Sequence, residues 1–309
     1  MNKLRTIFMG TPEFAVASLE TLLHRPDIEI TCVVTQPDRP RGRGQKLQPS
    51  PVKVFAQNNS LPVLQPERVK DDNVIDELAK FAPDLIVVAA FGQILPQRLL
   101  DLPKFGCINV HASLLPRYRG AAPIEWCLIN GESRTGITTM MMNAGLDTGD
   151  MLVRREVSIH ADMHLPELYD ELTKASVDAL NETLDQLRAG TLQREKQDDS
   201  QSTYAPMIKK DTGAIDWNKS ARQIHDLVRG LCGRAFAEFD GRKFKIYRTR
   251  VAEAPSDCTA ECGKVLRADR HRLLIGTGDG VVEILELQAP NCKKMSAADY
   301  LKGHQLLGR

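Results

Sequence analysis

The sequence predicts a doubly wound, mainly parallel α/β sheet followed by a small OB-like β-barrel. Three observations carry this. From residue 4 to about 188, strand-like apolar runs alternate with helix-like stretches, the signature of βαβ units. One of the runs, DLIVVAAF (84–91), is almost continuously apolar, as a parallel strand covered on both faces must be. Beyond about residue 206 the period shortens to alternating runs separated by glycine-containing turns, as in a Greek-key barrel. The expected organisation is an α/β domain over 1–188, a linker over 189–206 and the barrel domain over 207–309.

The elements follow in order. LRTIFMG (4–10) reads as the first strand. Thr11 and Pro12 then offer an N-cap and an N1 proline for a helix reaching about His24. IEITCVVTQ (28–36) is a strand, and Ser50-Pro51 opens another helix. A short LPVL (61–64), a helix over about 72–80 and the strand DLIVVAAF come next. CINVHASL (107–114) and TGITTMMMN (135–143) are strands, with helical AAPIEWCLIN (121–130) between them. A long helix runs from His164 to Arg188, and the polar AGTLQREKQDDSQST (189–203) reads as linker. Ser220 caps ARQIHDLVRGL (221–231), and AFAEFDGRKFKIYR (235–248) is a hairpin about Asp240-Gly241. KVLRADRHRLLIGTGDGVVEILELQ (264–288) supplies the remaining short strands.

Several function classes are excluded or weakened at this level. GTPEFA (10–15) has one glycine where a dinucleotide fingerprint needs three. Gly276 to Gly280 lies between strand-like runs and reads as a hairpin turn rather than a phosphate loop. No apolar run approaches the roughly 20 residues of a membrane span. The N-terminal residues resemble neither a secretory signal nor a transit peptide, so a cytoplasmic protein is expected. The seven cysteines are scattered; Cys32, Cys107, Cys127 and Cys232 sit in apolar context. Cys258 and Cys262 are four apart without a second ligand pair. His160 and His164 are four apart without the Glu of a zinc helix, and read as loop and helix-start residues. No metal is expected.

The net charge of +1 hides an asymmetry. Residues 204–309 carry 19 Lys and Arg against 13 Asp and Glu; residues 1–203 carry 22 against 27. The basic half fits a polyanion partner or a merely solvated basic surface, and charge alone does not separate the two. A second basic stretch, TQPDRPRGRGQKLQPSPVK (35–53), carries Arg39, Arg41, Arg43, Lys46 and Lys53 against Asp38. It is long for a βα loop, where about 2–6 residues are usual, and reads as a mobile arm or a disordered solvated loop.

The chemistry collects at strand ends. Asn109 and His111 flank Val110 at the end of CINVH and so share a face. Asp147 follows the TTMMM strand, between Gly145 and Gly149, which would let its loop approach a ligand closely. An amide stabilises an oxyanion, a His donates to the same oxygen or moves a proton, and a carboxylate orients the His or takes a proton through water. With no nucleophile required, the trio suits direct transfer of a carbonyl unit to an amine. Singly, each of these residues is also a common structural hydrogen bonder or turn former.

CINVHASLLPRYRGAAP together with GLDTGDM resembles the 10-formyltetrahydrofolate-dependent transformylases. That family's Asn, His and Asp match Asn109, His111 and Asp147, and its Ser-Leu-Leu-Pro turn matches Ser113, Leu114, Leu115 and Pro116. IFMGTPEFA, the 35–53 stretch, AAFGQILP, TYAPMIKKDTGAIDW and the barrel extend the resemblance, essentially end to end, to the branch that formylates methionine on initiator tRNA. It implies a formyltransferase-type Rossmann-like fold with 10-formyltetrahydrofolate as co-substrate and initiator methionyl-tRNA as partner. It also implies a folate site walled by Phe91, Gly92, Ile94 and Leu95 and by residues 113–116. The tRNA acceptor end would meet the basic loop, with Arg43 as the key contact beside Arg41 and Lys46. Further basic candidates in the barrel are Lys209, Lys210, Arg229, Arg234, Lys243, Lys245 and Arg248. Here the sequence departs from the family: RGLCGRAFAEF lacks the prolines and Trp usual after the helix. A monomer is expected. A transformylase acting on a small or sugar-linked amine, and a non-catalytic RNA- or folate-binding module, are the alternatives. The long basic loop and the positive second half speak against the first, the two spaced motifs against the second.

Overall fold

A computed structural model of the chain describes residues 2–41, 44–255 and 261–306. In chain order the first elements are β1 (Leu4–Gly10), α1 (Glu13–His24), β2 (Ile28–Val34), β3 (Arg39–Arg41), β4 (Lys46–Gln48), α2 (Pro51–Asn58) and β5 (Val63–Leu64). Then come α3 (Asp72–Ala79), β6 (Leu85–Ala89), α4 (Gln97–Leu100), β7 (Cys107–His111), β8 (Arg119–Gly120), α5 (Pro123–Ile129), β9 (Arg134–Met141), β10 (Met151–Ser158) and α6 (Leu165–Ala189). The last are β11 (Tyr204–Ala205), α7 (Ala221–Leu231), β12 (Phe236–Phe239), β13 (Arg242–Ala252), β14 (Val265–Ala268), β15 (Leu273–Gly276), β16 (Val281–Gln288), β17 (Met295–Ser296) and α8 (Ala297–Leu301). Two compact units emerge. One holds residues 1–121, 136–157 and 170–205; the other holds 122–135, 158–169 and 206–309.

The first unit is built on a seven-stranded sheet of order β10-β9-β7-β6-β1-β2-β5. β5, β2, β1, β6 and β7 are parallel, and β9 runs antiparallel to β7. Every residue of β6 is buried, which is why its sequence does not alternate. One face of the sheet packs Ile7, Met9, Val34, Ile86 and Val88 with Phe91, Leu95 and Leu99. α2 begins as its sequence demands: Ser50 Oγ accepts the Lys53 N–H at 3.0 Å, with Pro51 in the first turn. α1 differs from expectation. Its N-cap is Pro12, and Thr11 instead sends its hydroxyl 80 residues along the chain, to the Phe91 carbonyl at 3.0 Å. A long-range partner outcompetes the local cap because it ties down a loop that has no sheet of its own.

The second unit carries a curled antiparallel sheet of order β12-β13-β16-β15-β14, with β17 pairing β16. α7 has the full capping box, Ser220 with Gln223. The hairpin turn falls at Asp240 and Gly241, both left-handed at φ 51° and 70°, as a two-residue connection between twisted strands requires. Phe239, Phe244 and Tyr300 stack edge to face in the core.

Arg229, a candidate nucleic-acid contact from sequence, is buried here. Its guanidinium binds Asp226 Oδ1 at 2.6 Å and the Met163 carbonyl at 3.0 Å, so it holds the 160–164 segment to α7 and cannot reach a polyanion. His225 is buried beside it, with Nδ1 3.2 Å from Thr249 Oγ1 and Nε2 3.4 Å from Asp162 Oδ1. The His164 ring stands 6.4 Å away, edge to face. Burial first, then neighbouring Arg222 and Arg229, pull the His225 pKa down; burial and Arg248 do the same to His164, while Asp226, Asp162 and Glu167 oppose. Both folded pKa values therefore lie below the unfolded value of about 6.5. Stability from these two groups is complete above that pH and is lost as pH falls through the folded values. The unfolding midpoint is expected to drop between pH 7 and 5, and to drop less in His225→Gln. An equal slope in the two proteins, read by calorimetry, would remove His225 as the cause.

Candidate active site

Chain order reverses about β1. The chain runs outward through β2 and β5, then restarts on the other side at β6. That switch point, at the carboxyl ends of β1 and β6, is where open α/β sheets bind ligands. The loop after β6 is fastened over it. The Phe91 carbonyl accepts from Thr11 Oγ1 at 3.0 Å and from Gln36 Nε2 at 3.3 Å. Gln93 accepts the Val69 N–H at 2.7 Å and donates to the Pro66 carbonyl at 3.2 Å. Phe91 and Leu95 are buried in the core, while Gly92 turns at φ 85° and Ile94 is 79% exposed. Among the proposed wall residues, then, Phe91 and Leu95 offer a ligand backbone groups only, and Ile94 offers an open apolar side chain.

Next along the sheet, β7 ends on Asn109 and His111, which are 9% and 6% exposed. Their backbones are locked opposite Met140 and Thr138 of β9. The Asn109 side-chain amide shows no hydrogen-bond partner among the described residues, and the 9% of the residue that stays exposed keeps it open to a ligand or solvent. His111 Nε2 lies 3.0 Å from the Tyr118 carbonyl. A carbonyl only accepts, so Nε2 carries the hydrogen, and Nδ1 is the nitrogen that faces Asp147 Oδ2, 3.7 Å away. Asp147 is itself held, for Oδ2 accepts the Gly120 N–H at 2.8 Å. The gap between imidazole and carboxylate exceeds a direct hydrogen bond and leaves the carboxylate oxygen able to serve a third group.

The Ser-Leu-Leu-Pro turn forms the next segment, with a cis Leu115–Pro116 peptide. Ser113 Oγ donates to the Arg117 carbonyl at 2.6 Å, and Thr138 Oγ1 receives the Leu115 N–H at 3.1 Å while donating to the Ser113 carbonyl at 2.7 Å. Ser113 and Leu115 are buried; Leu114 and Pro116 are half-buried. Asp147 adopts a left-handed φ of 52°, which Asp tolerates better than most residues. The glycines beside it are required by the loop's own packing. A Cβ on Gly149 would overlap the Met141 carbonyl oxygen, and one on Gly145 would overlap Thr148 Oγ1.

The polar stretch expected to be mere linker contributes directly. Gln197 Nε2 donates to the carbonyls of Asp147 and Gly149 at 2.8 and 2.7 Å. Arg119 reaches Gln197 Oε1 at 2.8 Å and Asp199 at 2.7 Å. Thr203 Oγ1 accepts the Tyr118 N–H at 2.8 Å, and β11 pairs in parallel with β8. Residues 197–205 thus brace both sides of the His111–Asp147 pair. Nothing in their polarity distinguishes a brace from a tether.

Of the basic loop, Arg43 and Gly42 lie outside the described residues, and Arg41 is described only as the end of β3. The expected mobile arm contains a ribbon, with β3 antiparallel to β4 and Lys46 exposed opposite Arg41. Its base is closed by Lys53, which binds both Asp38 oxygens at 2.8 and 2.9 Å, with Gln65 on the same carboxylate. Hydrogen bonds from Gln65 and then Lys53 hold the Asp38 carboxyl below its usual range. Lys53 is therefore spent on structure.

Comparison with known proteins follows this geometry. The formyl transferase family matches residues 3–184, and the formyl transferase C-terminal domain matches 207–305. The chain is 54% identical, over 99% of its length and 96% of the relative's, to methionyl-tRNA formyltransferase of Geobacter sulfurreducens. The chain belongs to the methionyl-tRNA formyltransferase family. A relative of the same name from Acetivibrio thermocellus is 47% identical over 98% of the chain and 97% of its own. In fold, this formyltransferase matches an N-formyltransferase from Helicobacter canadensis solved with folinic acid and dTDP-3-aminofucose, at TM-score 0.66 and 19% identity, over 93% of this chain and 99% of that one. In this formyltransferase the buried thiols of β2, β7 and α5 are unreactive. Burial pushes Cys32, Cys107 and Cys127 up to about 12, so even Cys107, two residues before Asn109, stays a neutral thiol.

Proposed function

We propose that the chain transfers the formyl group of 10-formyltetrahydrofolate to the α-amine of methionine on initiator tRNA, giving N-formylmethionyl-tRNA. The observation that supports the site assignment is the approach of His111 Nδ1 to the Asp147 carboxylate at 3.7 Å, with Asn109 two residues before His111 on the same strand. The amine nitrogen bonds to the formyl carbon, the carbon–N10 bond breaks, and one proton passes from the amine to N10. Asn109 and His111 donate to the formyl oxygen as it gains charge. Asp147 orients His111 and accepts the amine's proton, directly or through a water. The Gly120 N–H and the Gln197 brace hold that carboxylate in place, which is the protein's orientational contribution.

Gly92, Ile94, Leu114 and Pro116 offer the folate its open wall, with Phe91, Leu95, Ser113 and Leu115 behind them. Arg43, flanked by Arg41 and Lys46, engages the acceptor end. Lys243, Lys245 and Arg248, exposed along β13, hold the flank of the tRNA. The catalytic part spans 1–188 and the tRNA-holding part 207–309. The enzyme works as a monomer in the cytoplasm. No helix among the described residues is long and apolar enough to cross a membrane.

The deciding experiment supplies 10-formyltetrahydrofolate with charged initiator tRNA, charged elongator tRNA or glycinamide ribonucleotide, and follows labelled formyl. Transfer to the initiator alone is expected; transfer only to the ribonucleotide would defeat the proposal. In Arg43→Ala, KM for the charged tRNA is expected to rise at least about tenfold with the folate KM unchanged, and its salt dependence should flatten by about one phosphate contact. Wild-type KM in that variant would remove the loop from tRNA binding.

A further inference from the structure

An aromatic ring stands in the open beside the held carboxylate. Tyr204 lies on β11 in register with Arg119 of β8, one residue before Gly120, whose N–H holds Asp147 at 2.8 Å. Gly120 has φ +115°, and a Cβ there would come within 2.7 Å of Tyr204 Cε2 and 3.1 Å of Cδ2. The ring is thus packed against the glycine that positions the carboxylate. The rest of it faces outward. Tyr204 is 61% exposed, and no other Phe, Tyr or Trp among the described residues is exposed. A two-residue strand pairing through backbone does not need an aromatic side chain, and leaving one uncovered forgoes the burial that every other ring in the chain obtains.

We propose that Tyr204 is a stacking platform for the terminal adenosine of the charged tRNA, and through it sets the methionine amine against the formyl carbon. This rests on the function proposed above. The amine hangs from the terminal ribose by an ester, so whatever fixes that nucleoside fixes the amine. A base presents a flat π-face to an exposed ring, whereas the folate belongs at the β1/β6 switch point, walled by the loop over residues 91–96. The β8–β11 pair lies on the Asp147 side, where the amine must give up its proton. Arg119, in register with Tyr204, is folded back onto Gln197 and Asp199 and does not cover the ring.

The test is a cycle in which the enzyme and the RNA are each truncated. Wild type and Tyr204→Ala are measured with initiator tRNA and with the same tRNA lacking its terminal adenosine, by equilibrium binding of the uncharged RNA. Stacking of one base predicts a loss of about 5- to 150-fold for wild type on removing the adenosine, and no further loss in the variant. Tyr204→Phe and Tyr204→Trp should restore the response and Tyr204→Leu should not. In transfer assays Tyr204→Ala should raise KM for the charged tRNA and leave the folate KM unchanged. Equal sensitivity of both proteins to the missing adenosine overturns the platform, as does a change in folate KM alone. Wild-type transfer to charged initiator tRNA is the control: if it fails, the functional proposal falls; if it holds while the cycle shows no coupling, only Tyr204 is lost.

Discussion

Asn109→Ala is expected to lower kcat by about 10²–10³-fold, with KM for both substrates within a fewfold of wild type. The amide is nearly buried and shows no hydrogen bond among the described residues, so its donors can serve an oxygen that carries charge only in the transition state. Removing it deletes transition-state stabilisation while leaving the protein's own hydrogen bonds intact, and the unfolding midpoint should move little. His111→Ala is expected to cost at least as much in rate. It also removes the hydrogen bond to the Tyr118 carbonyl, so some stability should go with it, about 0.5–1.5 kcal/mol. Steady-state kinetics paired with thermal unfolding separates the two effects. A large KM change in Asn109→Ala without a kcat change would move that residue from catalysis to ground-state binding. Asp147→Ala should abolish transfer while tRNA affinity persists.

Gly149→Ala should be nearly as damaging, although the added methyl group touches no substrate. Its Cβ would overlap the Met141 carbonyl, and backbone at the end of β9 cannot yield as a side-chain tip does. The 143–149 loop must move instead. With it go both Gln197 hydrogen bonds and the Asp147–Gly120 contact. A displacement of about 1 Å at the carboxylate is enough to cost about 10²-fold in kcat. Overpacking of this kind destabilises by about 1–3 kcal/mol, which unfolding will report. A Gly149→Ala enzyme with wild-type kcat would show that the carboxylate needs no such fixed loop.

Much of the fold was legible because local signals agreed with the tertiary outcome. The unbroken apolar run of β6, the Ser50-Pro51 start of α2, the Ser220 cap of α7 and the Asp240-Gly241 turn all formed as read. Asn109 and His111 were legible as a pair because two residues flanking a third on a strand share a face. Where reading failed, a distant partner decided. Thr11 left its expected cap for Phe91, Lys53 left the basic arm for Asp38, and Arg229 went inside to the Met163 carbonyl. Arg248 shows the same limit on a strand. Alternation puts it on the buried face with Phe244 and Ile246, and the register shifts beside it turn it out to solvent.

By itself, then, the sequence determined the main alternation of strands and helices (though not β3, β4, β8, β10 or β11), the change of period near residue 206, and which residue types sit at the ends of β7 and β9. These are properties of neighbours in the chain, set by periodicity and turn chemistry. Tertiary structure alone decided that β9 runs against β7, that Asp147 stops 3.7 Å from His111 rather than touching it, and that residues 197–205 brace the pair. Those outcomes depend on contacts across 27 to 85 residues of chain, from His111–Thr138 to Tyr118–Thr203. Such contacts are chosen by which polar groups are left needing a partner once the sheet has closed, a condition that no local window of sequence contains.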